Sequence, residues 1–298
     1  MFPDSTQELR RCYGRIGLFL IVYTALSQVA VMLCYLPYDL GWYELFYNDW
    51  YYYGLSAMVY YPAGILAAVL TLRRLPRPEV LRAPAPTVGQ ICSAVVIGIG
   101  LLYLGSMTAQ VLLSDTDTVD YAGTAVESQP VACTLVYVVL LAPVMEELIF
   151  RYLLLDRMLF LGDWTAVGLS ALLFGLFHTN LYQFFYAVLV GLLLGYLRIM
   201  TGTLTWSILL HMFINFFGGL LTPNLPDSDA VWGTLGLLVV LAIAYTVYYF
   251  IRYRPWENFY PGPTAFTAAE KRRACLTSPA MWLCVLLHLG LSLYYISY

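Results

Sequence analysis

Apolar positions in this chain form long, nearly unbroken runs, and polar residues fall mostly between the runs. A helix needs about 20 mostly apolar residues to cross the hydrocarbon core of a bilayer. Nine stretches meet or approach that length: 14–36, 51–72, 88–113, 131–155, 164–178, 182–199, 203–221, 230–251 and 279–297, with the fifth and sixth short. The pattern predicts an all-α, polytopic integral membrane helical bundle of about eight to nine transmembrane helices. It divides the chain into three N-terminal spans (1–130), a core (131–220) and two C-terminal spans with a longer intervening loop (221–298). The first run is too long for a signal-peptide core, and no small-x-small site follows it.

Charge changes the picture next. Arg10, Arg11 and Arg15 precede or begin the first run, and Arg73, Arg74, Arg77 and Arg82 follow the second. Arg157 follows the fourth and Arg198 ends the sixth. Arg252, Arg254, Lys271, Arg272 and Arg273 follow the eighth. With nine spans, all of these fall on one side. The opposite loops carry Asp39, Glu44, Asp49, Asp115, Asp117, Asp120, Glu127, Asp227 and Asp229 but no Lys or Arg. The positive-inside rule then predicts a cytoplasmic N-terminus and an outer C-terminus. Tyr and Trp clusters at 50–53 and 248–260 suit the two headgroup levels. The 73–87 and 254–278 stretches read as loops on the basic side.

Composition closes off other classes. Of 298 residues, 61% are apolar and 11% charged, and mean hydropathy is +0.73. Soluble domains have about 45–50% and 25%. A disordered chain, a nucleic-acid binder and a disulfide-built secreted domain are excluded. The six cysteines form no CxxC pair and read as small buried hydrophobes.

One basic residue breaks the charge pattern. Arg151 lies inside the fourth run, with Glu146 and Glu147. Ionised groups at a membrane helix centre cost about 2.5–3.5 kcal/mol each and survive where they pair or face a wet cavity. Glu147 and Arg151 are four apart on one face, as a structural pair requires. Glu146 lies about 100° around the helix and is left for another task. Pro143, lacking an N–H, predicts a kink beside them. Of three histidines, His178 ends the fifth run, and His211 lies four residues before Asn215 in the seventh. His288 shows no polar neighbour at helical spacing and reads as a helix–helix hydrogen-bond donor. Counted from their cytoplasmic helix ends, Glu146, His178 and His211 all fall below the membrane surface and could share one site.

Glu-Glu-x-x-x-Arg at 146–151, Phe-x-x-x-His at 174–178 and His-x-x-x-Asn at 211–215 occur in that order on separate apolar helices. They resemble the three motifs of the CPBP family, the CAAX prenyl protease 2 and bacteriocin-processing (Abi-type) intramembrane proteases. The resemblance covers about residues 131–220. It implies an all-helical core with a cavity open to the cytoplasm or inner leaflet. It also implies a glutamate-dependent peptidase acting on a membrane-associated peptide or protein. On it, Glu146 and His178 would activate a water, His211 and Asn215 would form the oxyanion site, and Glu147 and Arg151 would support the first motif. Chemistry allows these roles: a carboxylate base, a histidine to relay the proton, and N–H donors for the developing oxyanion. No cofactor is expected. Zinc held by Glu146, His178 and His211 is an alternative, though HExxH is absent. A non-enzymatic scaffold or immunity protein and a proton-coupled transporter are further alternatives. The GxxxG at Gly191 and Gly195 fits packing within one chain or dimerisation.

Overall fold

The computed structural model describes residues 2–80, 83–114, 120, 123–124 and 129–296. Arg82, Asp115, Asp117 and Glu127, used in the charge reading, lie outside the described residues. Among the described residues, seven helices are long and apolar enough to span a bilayer: α1 Thr6–Asp39, α2 Asp49–Leu72, α3 Val88–Leu113, α4 Val131–Arg157, α6 Leu181–Thr201, α7 Thr205–Asn224 and α8 Asp229–Tyr253. Between α4 and α6 lies α5, Asp163–Phe177. The last apolar run, α10 Pro279–Ile296, follows α9 Ala268–Leu276 across a 63° bend. Among the described residues there is no strand, and the fold is a polytopic helical membrane bundle.

Two expectations change. The fifth run forms a helix of only 15 residues, about 22 Å long at 1.5 Å per residue. That falls short of the ~30 Å hydrocarbon core, so α5 does not match a full span by length. The 254–278 stretch is not all loop either, because α9 starts within it on a capping box between Thr267 and Glu270.

Local chemistry sets the other boundaries. Ser5, Asn48 and Asn180 cap α1, α2 and α6, each accepting a first-turn backbone N–H. Thr87 and Gln90 form a capping box on α3. These groups satisfy donors that the first helical turn leaves without partners. Gly202, at φ +66°, ends α6 in the left-handed conformation that favours glycine.

The packed core joins residues distant in sequence. Leu9, Tyr13 and Phe19 of α1, Ala67 of α2, Phe150 and Leu154 of α4, Phe174 of α5 and Met281 of α10 share one apolar cluster. A second cluster holds Leu101 of α3, Leu194 of α6 and Ile214 of α7. Both residues of the GxxxG face inward: a Cβ on Gly191 would stand 3.3 Å from Ala171 and one on Gly195 3.2 Å from Leu155 and Val167. That stripe therefore packs α6 against α5 and the end of α4. At the same end, buried Asp156 accepts bonds from Arg198 Nε (3.1 Å) and Nη2 (2.8 Å) and from Arg77 Nη2 (3.3 Å). Arg77 also lies 3.9 Å over the Tyr152 ring, pinning the 73–87 stretch to α4.

Gly105 marks the closest approach of α3 to α6, where any Cβ would overlap the Tyr186 backbone. Backbone cannot swing aside as a side chain does. Gly105→Val is expected to cost about 1–3 kcal/mol, seen as a lowered Tm of the detergent-purified protein, whereas Gly168→Ala, with no neighbour within 4 Å, leaves Tm near wild type.

Candidate active site

The fourth span is not a regular helix. Turns of wider pitch at Thr134–Leu141 and Leu148–Leu154 flank the α-helical segment Ala142–Glu147. The Ala142 N–H reaches back five residues to the Tyr137 carbonyl. Pro143 then needs no donor at the position where it has none. Such wide turns recur at functional sites, because they re-aim side chains that a uniform helix would distribute evenly. Here they bracket both glutamates.

His211 on α7 lies between those glutamates. Its Nδ1 is 3.2 Å from Glu147 Oε1, and its Nε2 is 3.7 Å from Glu146 Oε2. The two carboxylates differ in access: the Glu147 side chain is fully buried, whereas that of Glu146 is 18% exposed. Behind Glu147 stands Arg151, also fully buried, with Nε 3.4 Å from Glu147 Oε2. Arg151 Nη1 donates to Ser170 Oγ at 3.2 Å, and Ser170 Oγ donates to the Phe150 carbonyl at 3.0 Å. The guanidinium lies 5.0 Å from the centre of the Phe174 ring. That aromatic face partly compensates for Arg151 Nη2, which has no hydrogen-bond partner among the described residues.

Helix α5 delivers this support along one stripe. Ser170, Phe174 and His178 are spaced at four-residue intervals, so they share a face. The Phe174 ring stands edge-on to His178 (4.8 Å) and to His211 (5.8 Å). His178 Nδ1 lies 2.8 Å from the Phe174 carbonyl. A carbonyl only accepts, so Nδ1 carries the proton in that bond and Nε2 is left outside it. The next residue, Thr179, has φ +48°, a left-handed conformation costly for a β-branched residue. It reverses the chain into α6 directly beside His178.

The structure thus brings Glu146, Glu147, Arg151 and His211 into one connected group, with His178 alongside through Phe174. No hydrogen bond joins His178 to Glu146 among the described contacts. Asn215 Nδ2 donates to the Val138 carbonyl at 2.9 Å, which uses one of its two N–H groups to tie α7 to α4. Sequence reasoning assigned Glu147 to Arg151 alone. Its contact with His211 was missed, and so was Ser170, whose spacing from Phe174 and His178 was the available signal. Sequence also gave no reason to bring Tyr23 and Tyr60 against the end of α5, yet their rings lie 4.2 and 5.5 Å from that of Phe177. His288 ties helices as expected, but as the acceptor: its Nδ1 donates to the Cys284 carbonyl at 2.7 Å, so Nε2 accepts from Thr24 Oγ1 of α1 at 2.8 Å. It does have a polar neighbour at helical spacing, since Ser292 Oγ donates to its carbonyl at 2.8 Å.

Residues 128–217 match the family model described as Rce1-like, type II CAAX prenyl endopeptidase Rce1-like. The matched segment contains all three motifs and supports the resemblance to the CPBP/CAAX proteases. The match supports a CAAX-type membrane endopeptidase in general. No curated protein and no solved structure matches the chain.

The Arg151–Glu147 pair makes a sharp prediction. Removing one member of a buried pair strands the other charge at a cost of about 3–5 kcal/mol, while replacing both is often nearly neutral. Arg151→Met should therefore lower Tm strongly, and Glu147→Gln combined with Arg151→Met should restore a substantial part, both read by thermal unfolding in detergent.

Proposed function

We propose that this protein hydrolyses a peptide bond of a membrane-associated peptide or protein, using Glu146 as the base that activates water. The observation that carries this reading is His211, set between one fully buried and one accessible carboxylate. Glu147, backed by Arg151, accepts from His211 Nδ1–H and fixes the ring. The other nitrogen, Nε2, then points toward Glu146, where a reacting carbonyl would come. For Nε2 to donate to an oxyanion, His211 must carry both protons, and the two carboxylates supply the countercharge for that form. The second N–H of Asn215 is the remaining donor. His178 Nε2 serves as the relay that takes the proton from Glu146 and delivers it to the leaving amine, so that each proton removed from water has a destination.

A non-enzymatic scaffold is less well supported, because a scaffold gains nothing from a strained turn and paired wide turns around costly buried charges. The zinc alternative needs three converging ligands. Among the described residues, no group of three or more His, Cys, Asp and Glu side chains is arranged to hold a metal ion. The basic residues at the α4–α5 and α6–α7 ends and in α9 support a cytoplasmic N-terminus. With α5 short of a full span, the side taken by the C-terminus follows from whether the α9–α10 pair crosses.

The decisive comparison is of newly generated peptide termini in host membranes, wild type against Glu146→Gln at matched expression. Termini should vanish in the variant while its Tm stays near wild type; unchanged termini would reject the assignment. Once a substrate is in hand, Asn215→Ala should slow cleavage by about 10²–10³, the usual cost of one oxyanion donor. Chelation should leave the purified enzyme active; loss of activity with rescue by zinc would favour the metal reading.

A further inference from the structure

A second polar site lies well away from these residues in sequence, at the bend between α9 and α10. A cavity of about 260 Å³ there is lined by Gln7, Arg10, Arg11 and Gly14 of α1 and by Ser278, Pro279 and Ala280 at the start of α10. Ser278 is 1% exposed, and its hydroxyl has no hydrogen-bond partner among the described residues. A buried hydroxyl without a partner costs about 1–3 kcal/mol. Arg10 and Arg11 are exposed and form no ion pair among the described residues. The site therefore joins two unneutralised guanidinium groups to a buried donor without an acceptor.

The helix geometry adds to this. Ser278 precedes an 18-residue helix but does not cap it with its side chain, since its Oγ is unbonded. The first backbone N–H groups of such a helix lack carbonyl partners, and the aligned peptide dipoles favour negative charge beside them. Pro279 has no N–H to offer, so Ala280 presents the first. The α1 backbone closes over this point. A Cβ on Gly17 would come within 2.7 Å of the Ala280 carbonyl. Gly14 leaves more room, with its Cβ position 3.7 Å from Ser278 Oγ.

We infer that this cavity binds a phosphate group, held by Arg10 and Arg11 through charge and by the Ser278 hydroxyl and the α10 N-terminus through hydrogen bonds. A phosphate supplies several acceptor oxygens at once, which matches two guanidinium groups, a free hydroxyl and the N–H groups of the α10 N-terminus. The group could belong to an anionic phospholipid headgroup or to a soluble phosphate compound. Lys271, Arg272 and Arg273 lie on α9, which ends two residues before Ser278. Trp282, half exposed one turn into α10 with its indole N–H bonded to the Leu276 carbonyl at 2.7 Å, is the residue type that favours a headgroup boundary.

The test uses the full chain in detergent micelles and in nanodiscs. Retention from an equal mixture of phosphatidylglycerol and phosphatidylcholine is read by native mass spectrometry, and the Tm change on adding inorganic phosphate is read against chloride at matched ionic strength. Arg10→Gln combined with Arg11→Gln should weaken binding at least about tenfold. Gly14→Ala places a methyl over Ser278 Oγ at ordinary contact distance and suits a helix; it should weaken binding without lowering Tm. Arg73→Gln with Arg74→Gln removes equal charge elsewhere and should leave binding intact. Selective retention of phosphatidylglycerol assigns the site to a headgroup, and a phosphate-specific Tm rise assigns it to a soluble ligand. The inference is overturned if neither arm shows a preference, if the site variants bind as wild type, or if the Arg73/Arg74 variant loses as much as they do.

Discussion

Arg151 has no exposed surface and lies within a helix apolar enough to span a membrane, so every group around it must answer for its charge. Glu147 provides the countercharge, Ser170 an acceptor and the Phe174 ring a polarised face. These come from α4 and α5, and Glu147 passes the constraint to α7 through His211. Three helices are thereby held in one relative register. A shift of one helix by a single residue would part at least one buried charged or polar group from its partner, at a cost exceeding most packing gains. Apolar contacts against lipid discriminate poorly between registers, because lipid is as apolar as leucine.

Glu146 and Glu147 lie about 100° apart on the α-helical segment Ala142–Glu147 of α4. In the structure both reach the same imidazole, one at each ring nitrogen. Wide turns on either side of Ala142–Glu147 accompany that arrangement, and Pro143 sits where the altered bonding spares it a donor. The strained Thr179, next to His178, is a second local departure from regular geometry at the same site.

Outside the site, polar residues act mainly as fasteners. Asp156 holds Arg77 and Arg198, and His288 holds Thr24. Each joins segments more than 40 residues apart. The cavity at the α9–α10 bend is different, because the buried Ser278 hydroxyl has no hydrogen-bond partner among the described residues.

The sequence by itself determined that this is a helical membrane protein, because the length and continuity of apolar runs depend on local composition alone. It also determined the order and identity of the motif residues, since ionisable groups within such runs stand out against their cost. It could not determine which runs are full spans. The shortness of α5 depends on where Gly162 and Thr179 turn the chain, and the bend before α10 on how α1 lies against it. Nor could spacing along one helix show that Glu147 serves two partners or that Ser170 bonds the arginine. Those are contacts between helices, and their geometry exists only once the buried charges have been matched across the bundle.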